Sequence, residues 1–65
     1  MRAYADDDGN TYRVEQASNK RHVTVRWNEG GNMKRFKPID DAGSRDNAQK
    51  LLDGHAKANG WKETT

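Results

Sequence analysis

Sixty-five residues permit one domain at most, and a chain this short buries only about 60% of the surface its unfolded form exposes. The apolar share is 31%, seven of those twenty residues are alanine, and the net charge is only +2, so the composition points to a thin core rather than to disorder. The absence of cysteine excludes disulfides and thiolate chemistry, and no apolar run is long enough for a membrane span or a signal-peptide core, so the expectation is a cytoplasmic protein without membrane contact.

Charge is unevenly distributed. Residues 1–10 set Arg2 against Asp6, Asp7 and Asp8, a balance of −2. Residues 20–37 hold Lys20, Arg21, Arg26, Lys34, Arg35 and Lys37 against Glu29 alone, a balance of +5, and residues 38–65 return to −1. A cationic block inside an otherwise neutral to acidic chain is the first functional clue.

In chain order, residues 2–5 form a short candidate strand, ended by the turn-forming run Asp6-Asp7-Asp8-Gly9-Asn10. Residues 11–16 alternate, with Tyr12 and Val14 on one face and Arg13 and Glu15 on the other. Ser18-Asn19-Lys20 makes the next turn. Residues 22–28 carry the clearest strand pattern, Val23, Val25 and Trp27 alternating with His22, Thr24, Arg26 and Asn28. Glu29-Gly30-Gly31-Asn32 reads as a hairpin turn and residues 33–37 as the last strand, stopped by Pro38. A helix is expected over 45–58, N-capped by Ser44 and closed by Asn59-Gly60. Its apolar stripe is Ala48, Leu51, Leu52, His55 and Ala56, with Asp46–Lys50 and Asp53–Lys57 as pairs on the exposed side, and Trp61 folds back onto the core. The expected fold is α+β: one domain over 1–65, an antiparallel meander of three to four strands packed on one C-terminal helix.

One helix covers one face of such a sheet. Placing Tyr12, Val14, Val23, Val25, Trp27 and Phe36 beneath it, against Leu51 and Leu52, leaves Arg13, Glu15, Thr24, Arg26, Arg35 and Lys37 on the open face, with Met33 at its edge. Cations spread over three strands suit phosphate neutralisation, and a twisted sheet fits a major groove, where arginines can pair with guanine edges. The candidate nucleic-acid-binding set is therefore Arg13, Lys20, Arg21, Thr24, Arg26, Lys34, Arg35 and Lys37. The same pattern also describes a solvated face that keeps a small protein soluble, and both readings stay open here.

Other constellations have plainer explanations. Trp27 and Trp61 are expected in the core rather than as stacking platforms. Asp6, Asp8 and Asn10 imitate the opening of a calcium loop, but glycine arrives at the fourth position and Ala17 stands where a bidentate glutamate belongs, which favours a polar turn. His22 and His55 have no zinc-ligand spacing, Ser18 and Ser44 are turn and cap residues, and Gly30-Gly31 opens no helix as a phosphate loop would. The expectation is a protein without catalytic activity, metal or cofactor.

The run Tyr12-Arg13-Val14-Glu15-Gln16, then His22-Val23-Thr24-Val25-Arg26-Trp27, a glycine turn, Lys34-Arg35-Phe36 and the closing Asn59-Gly60-Trp61 resembles the WGR domain. That module occurs in DNA-damage-responsive poly-ADP-ribose polymerases and bacterial proteins and contacts nucleic-acid ends. Asn28 and Glu29 follow Trp27 where the family has glycine and arginine, so no contact role passes to Trp27. The order of strands and helix is also similar to the arm-binding domain of tyrosine recombinases, related to the plant ethylene-response DNA-binding domain, in which a three-stranded sheet reads the major groove. That similarity implies contact roles for Arg13, Arg26, Arg35 and Lys37, double-stranded DNA as partner, and a phage or mobile-element product. The alternative is a protein-interaction module, a small inhibitor or a homodimer, motivated by the thin core.

Overall fold

A computed structural model describes residues 2–39 and 41–64. Strands β1 (Tyr4–Ala5), β2 (Thr11–Gln16), β3 (His22–Trp27) and β4 (Met33–Arg35) form the antiparallel meander expected from the sequence. Pro38 sits in a 3-10 turn over Lys37–Ile39 that interrupts the ladder, so the last meander strand is shorter than the expected 33–37. The chain then returns to β3 as β5 (Asp41–Gly43), with an irregularity between His22 and Val23. Helix α1 (Arg45–Asn59) follows, and β6 (Lys62–Glu63) pairs with β1, giving the order β4-β3-β2-β1-β6 with β5 on β3. Neither β5 nor β6 is visible as a periodic run, because strands of two or three residues carry no alternation.

The three hairpins of the meander share one construction. Asp6 N donates to Asn10 O at 3.0 Å, Ala17 N to Arg21 O at 2.8 Å, and Asn28 N to Asn32 O at 3.0 Å. Each pair closes a three-residue loop whose last residue has positive φ: Gly9 at 88°, Lys20 at 67° and Gly31 at 80°. Glycine takes this conformation without a steric penalty, whereas Lys20 is strained by its Cβ.

An odd-numbered loop pairs residues of like parity, and this decides the faces. Tyr12 lies opposite Arg26, Val14 opposite Thr24, Arg13 opposite Val25, and Thr11 opposite Trp27. Residues directly opposite share a face. Tyr12 and Val14 therefore share theirs with Thr24 and Arg26, while Val23, Val25 and Trp27 share the other with Arg13 and Glu15. The single buried face expected from the sequence is thus corrected: its β2 half and its β3 half look in opposite directions. Joining the two alternations one residue out of step exchanged the faces of β3.

Helix α1 covers the Tyr12–Val14 side, where Tyr4, Tyr12, Val14, Ala48, Leu52 and Ala56 form the main core with Phe36, Ile39 and Trp61 packed against it. Ser44 caps the helix by accepting from Asn47 N at 3.2 Å. At the other end Gly60 N donates to Lys57 O and Trp61 N to Ala56 O, a Schellman closure that turns Trp61 back so its indole stacks on Tyr12 at 3.8 Å. Leu51, expected in the interface, is 42% exposed. The helix is rolled the other way, towards Asp53, which accepts from Tyr4 Oη of β1 at 2.6 Å and from Arg2 Nη1 at 2.9 Å instead of lying on the exposed side. Thr24 is also corrected: assigned to the open face, it is fully buried beneath the helix, and its Oγ1 has no hydrogen-bond partner among the described residues.

Two substitutions check this construction by urea denaturation. Lys20→Gly relieves the left-handed backbone and is expected to add about 0.5–1 kcal/mol of stability; a loss would mean that this turn is not strained. Thr24→Val removes an orphan hydroxyl at nearly constant shape and is expected to stabilise by about 1 kcal/mol, whereas destabilisation would imply a partner for that hydroxyl.

Candidate functional site

The helix-free face is built by the odd-numbered residues of the meander. Val25 stands at its centre with Arg13 directly opposite on β2 and Arg35 directly opposite on β4. Trp27 lies between Thr11 and Met33 in the next row, which continues through Ala5 to Lys62. Glu15 and Val23 occupy the row on the other side of Val25.

Trp27 is half-buried, and its Nε1 donates to Glu15 Oε2 at 3.2 Å. Glu15 lies four residues beyond Thr11, the direct partner of Trp27, which is about 13 Å along the strand. The indole must therefore extend along the ladder towards Val25. The same Glu15 oxygen accepts from Arg13 Nε at 2.6 Å, and the Arg13 guanidinium carbon lies 5.0 Å from the indole centroid. Trp27, Arg13 and Glu15 thus form one preorganised unit. Val25 is only 2% exposed on a face without a helix, with Arg13 and Arg35 as its direct cross-strand neighbours. Met33, beside Trp27, is 46% exposed.

Of the eight residues proposed from the sequence, the structure brings Arg13 and Arg35 together on this face. Arg26 and Lys34 are cross-strand partners and belong to the helix side of the sheet, with Arg26 directly opposite Tyr12; Arg26 and Thr24 therefore leave the expected open set, and Lys34 lies away from that face. Lys20 and Arg21 lie at the β2–β3 hairpin, the latter against Gly43, and Lys37 lies in the 3-10 turn. Lys62, which the sequence reading passed over, joins the face through β6; no pattern in a two-residue strand signals it. The pin from Glu15 to Trp27 was equally hidden, because it depends on the hairpin register.

On the helix side two carboxylates act as polar anchors. Asp6 accepts from Tyr12 Oη at 2.6 Å, Asn10 Nδ2 at 3.0 Å, and the backbone N–H groups of Asp8 and Asn10, both at 2.9 Å. Burial works against its charge, but these bonds prevail and draw its pKa down to about 2. This is the polar turn expected for residues 6–10. Asp53 is held below the ordinary carboxylate range in the same way: burial opposes its charge, while Tyr4, Gln49 and Arg2 favour it. Burial and the bond to Asp53 push Tyr4 up to about 12.

A depression of about 280 Å³ lies at the start of α1, lined by His22, Ser44, Arg45 and Asp46. Among the described residues no group of three or more His, Cys, Asp or Glu side chains is placed to hold a metal ion. No helix among them is long and apolar enough to cross a membrane. The fold is a small α+β domain, and comparison with family models, curated proteins and solved structures finds no match.

The anchors set the acid limb of stability. A carboxylate whose folded pKa is lowered contributes stability that is complete above its unfolded value of about 4 and is lost as the pH falls towards its folded value. Stability is therefore expected to fall between pH 4 and about 2, where Asp6 takes up its proton. Asp6→Asn should lower stability at pH 7 by about 1–3 kcal/mol and flatten that limb. An acid limb unchanged in the variant, followed by circular dichroism, would remove Asp6 from this role.

Proposed function

We propose that the protein is a non-catalytic nucleic-acid-binding module that uses the helix-free face of its sheet. The observation that carries this reading is the placement of Arg13 and Arg35 on either side of Val25, with Lys62 in the adjoining row and Glu15 as the acid that β2, β3 and β4 contribute to this face. Such a face attracts a polyanion, and release of condensed counterions favours its binding. Glu15 is already paired, and it fixes the direction of Arg13 instead of opposing a phosphate. Its engagement of Nε leaves the terminal nitrogens of the guanidinium for a ligand.

A protein partner is the second reading. Exposed Met33 beside Trp27 and two arginines has the residue types enriched at protein interfaces. Sedimentation over a range of concentrations and capture from nuclease-treated extract distinguish the two.

Fluorescence anisotropy against labelled DNA at low salt provides the direct test. Binding is expected to weaken steeply with salt, and Arg35→Glu to lower affinity about tenfold while reducing the salt slope by about one. Lys50→Glu changes the net charge equally but sits exposed on α1, so its effect should be small. Equal losses in the two variants would reduce the interaction to bulk charge, and no binding to any nucleic acid at low salt would refute the reading.

A further inference from the structure

Resting on that reading, we infer that the ligand of the open face is a single strand whose bases stack on the Trp27–Arg13 pair, rather than a duplex. A sheet that reads a duplex groove needs side chains that project to base edges or phosphates. The middle of this face is shaped differently. Its largest side chain is an indole that reaches along the ladder, pinned at Nε1 by Glu15 and with the Arg13 guanidinium over its ring, 5.0 Å from the centroid. A guanidinium held over an aromatic ring offers a surface for the faces of bases, which are free only when a strand is unpaired.

Met33 extends the row beyond the indole, and Thr11, Ala5 and the cation Lys62 continue it on the other side. That row crosses five strands, about 19 Å, enough for a few unstacked nucleotides. Arg35 lies one row away, where it can follow a phosphate backbone running beside the stacked bases. Apolar and aromatic surface at the centre with cations beside it is the division of labour of a single-strand groove; an interface with duplex phosphates would leave Trp27 and Met33 facing solvent or charge.

The test compares an oligothymidylate of roughly twelve nucleotides with a duplex of equal length, using Trp61→Phe protein. The chain has two tryptophans, so in this variant Trp27 is the sole tryptophan and alone emits when excited beyond tyrosine absorption, while a ring is retained against Tyr12. The single strand is expected to bind at least about tenfold more tightly than the duplex and to quench Trp27, as stacking of one base requires. Trp27→Leu should lose about tenfold or more of the single-strand affinity and Trp27→Phe much less. The quench in Trp61→Phe protein decides the matter even if Trp27→Leu fails to fold. Duplex binding equal to or tighter than single-strand binding, or binding without a quench, would overturn the single-strand inference and leave the nucleic-acid reading standing. No binding to either ligand would overturn both.

Discussion

The three-residue loop between β2 and β3 sets which residues look which way. Ala17 pairs with Arg21 and Gln16 with His22, so every even residue of β2 faces the same side as an even residue of β3. With that register Tyr12 and Val14 meet the helix, while Val23, Val25 and Trp27 turn away from it. A loop one residue longer or shorter would put all five on one side and the cations of both strands on the other. The protein instead divides its few large apolar residues between two layers. The main one is closed by α1, and the second is bordered by Trp27, Arg13 and Arg35.

Dividing a thin core in this way leaves each layer in need of support. Polar anchoring supplies it at both ends of the helix side. Asp6 ties the first hairpin to Tyr12, and Tyr12 in turn stacks on Trp61 beyond the helix. Asp53 ties α1 to β1 through Tyr4, and to the N-terminal segment through Arg2 and Gln49. Bonds between a neutral donor and a partly buried carboxylate are stronger than ordinary ones, and they confer direction where apolar packing alone would not. The exposure of Leu51 follows from that direction, since the helix rolls towards its carboxylate and away from an apolar side chain that packing alone would have favoured. The sheet edges are managed by the same economy of means: β4 and β6 are short and carry Lys34, Arg35, Lys62 and Glu63, which discourages pairing with other chains.

On the open side the layer that completes folding is also the surface proposed for nucleic-acid binding. Glu15 serves both purposes through one oxygen, holding the indole down and aiming the guanidinium. The cations of the central block do not act together, however. Lys20 and Arg21 are at one hairpin, Arg26 and Lys34 are on the helix side, Lys37 is in the 3-10 turn, and Arg35 joins Arg13 on the open face. A local balance of +5 along residues 20–37 is therefore not a single patch.

Local chemistry was legible from the residues alone. Turn residues at 6–10, 18–20 and 29–32, alternation at 11–16 and 22–28, a serine cap and an Asn59-Gly60 stop specify a meander followed by one helix, because each signal depends on neighbours within a few residues. The return of Trp61 to the core was legible for the same reason. The relation between elements was not. Period-two patterns state that Val23, Val25 and Trp27 share a face, and that Tyr12 and Val14 share a face, but not that these are opposite faces; that depends on the parity of a loop whose ends are defined only by pairing. The burial of Thr24, the removal of Arg26 from the open side, the arrival of Lys62 through β6 and the pinning of Trp27 by Glu15 all follow from tertiary register. Side chains separated by twelve residues or more meet only when strands are aligned, and hydrogen-bonded pairing aligns them.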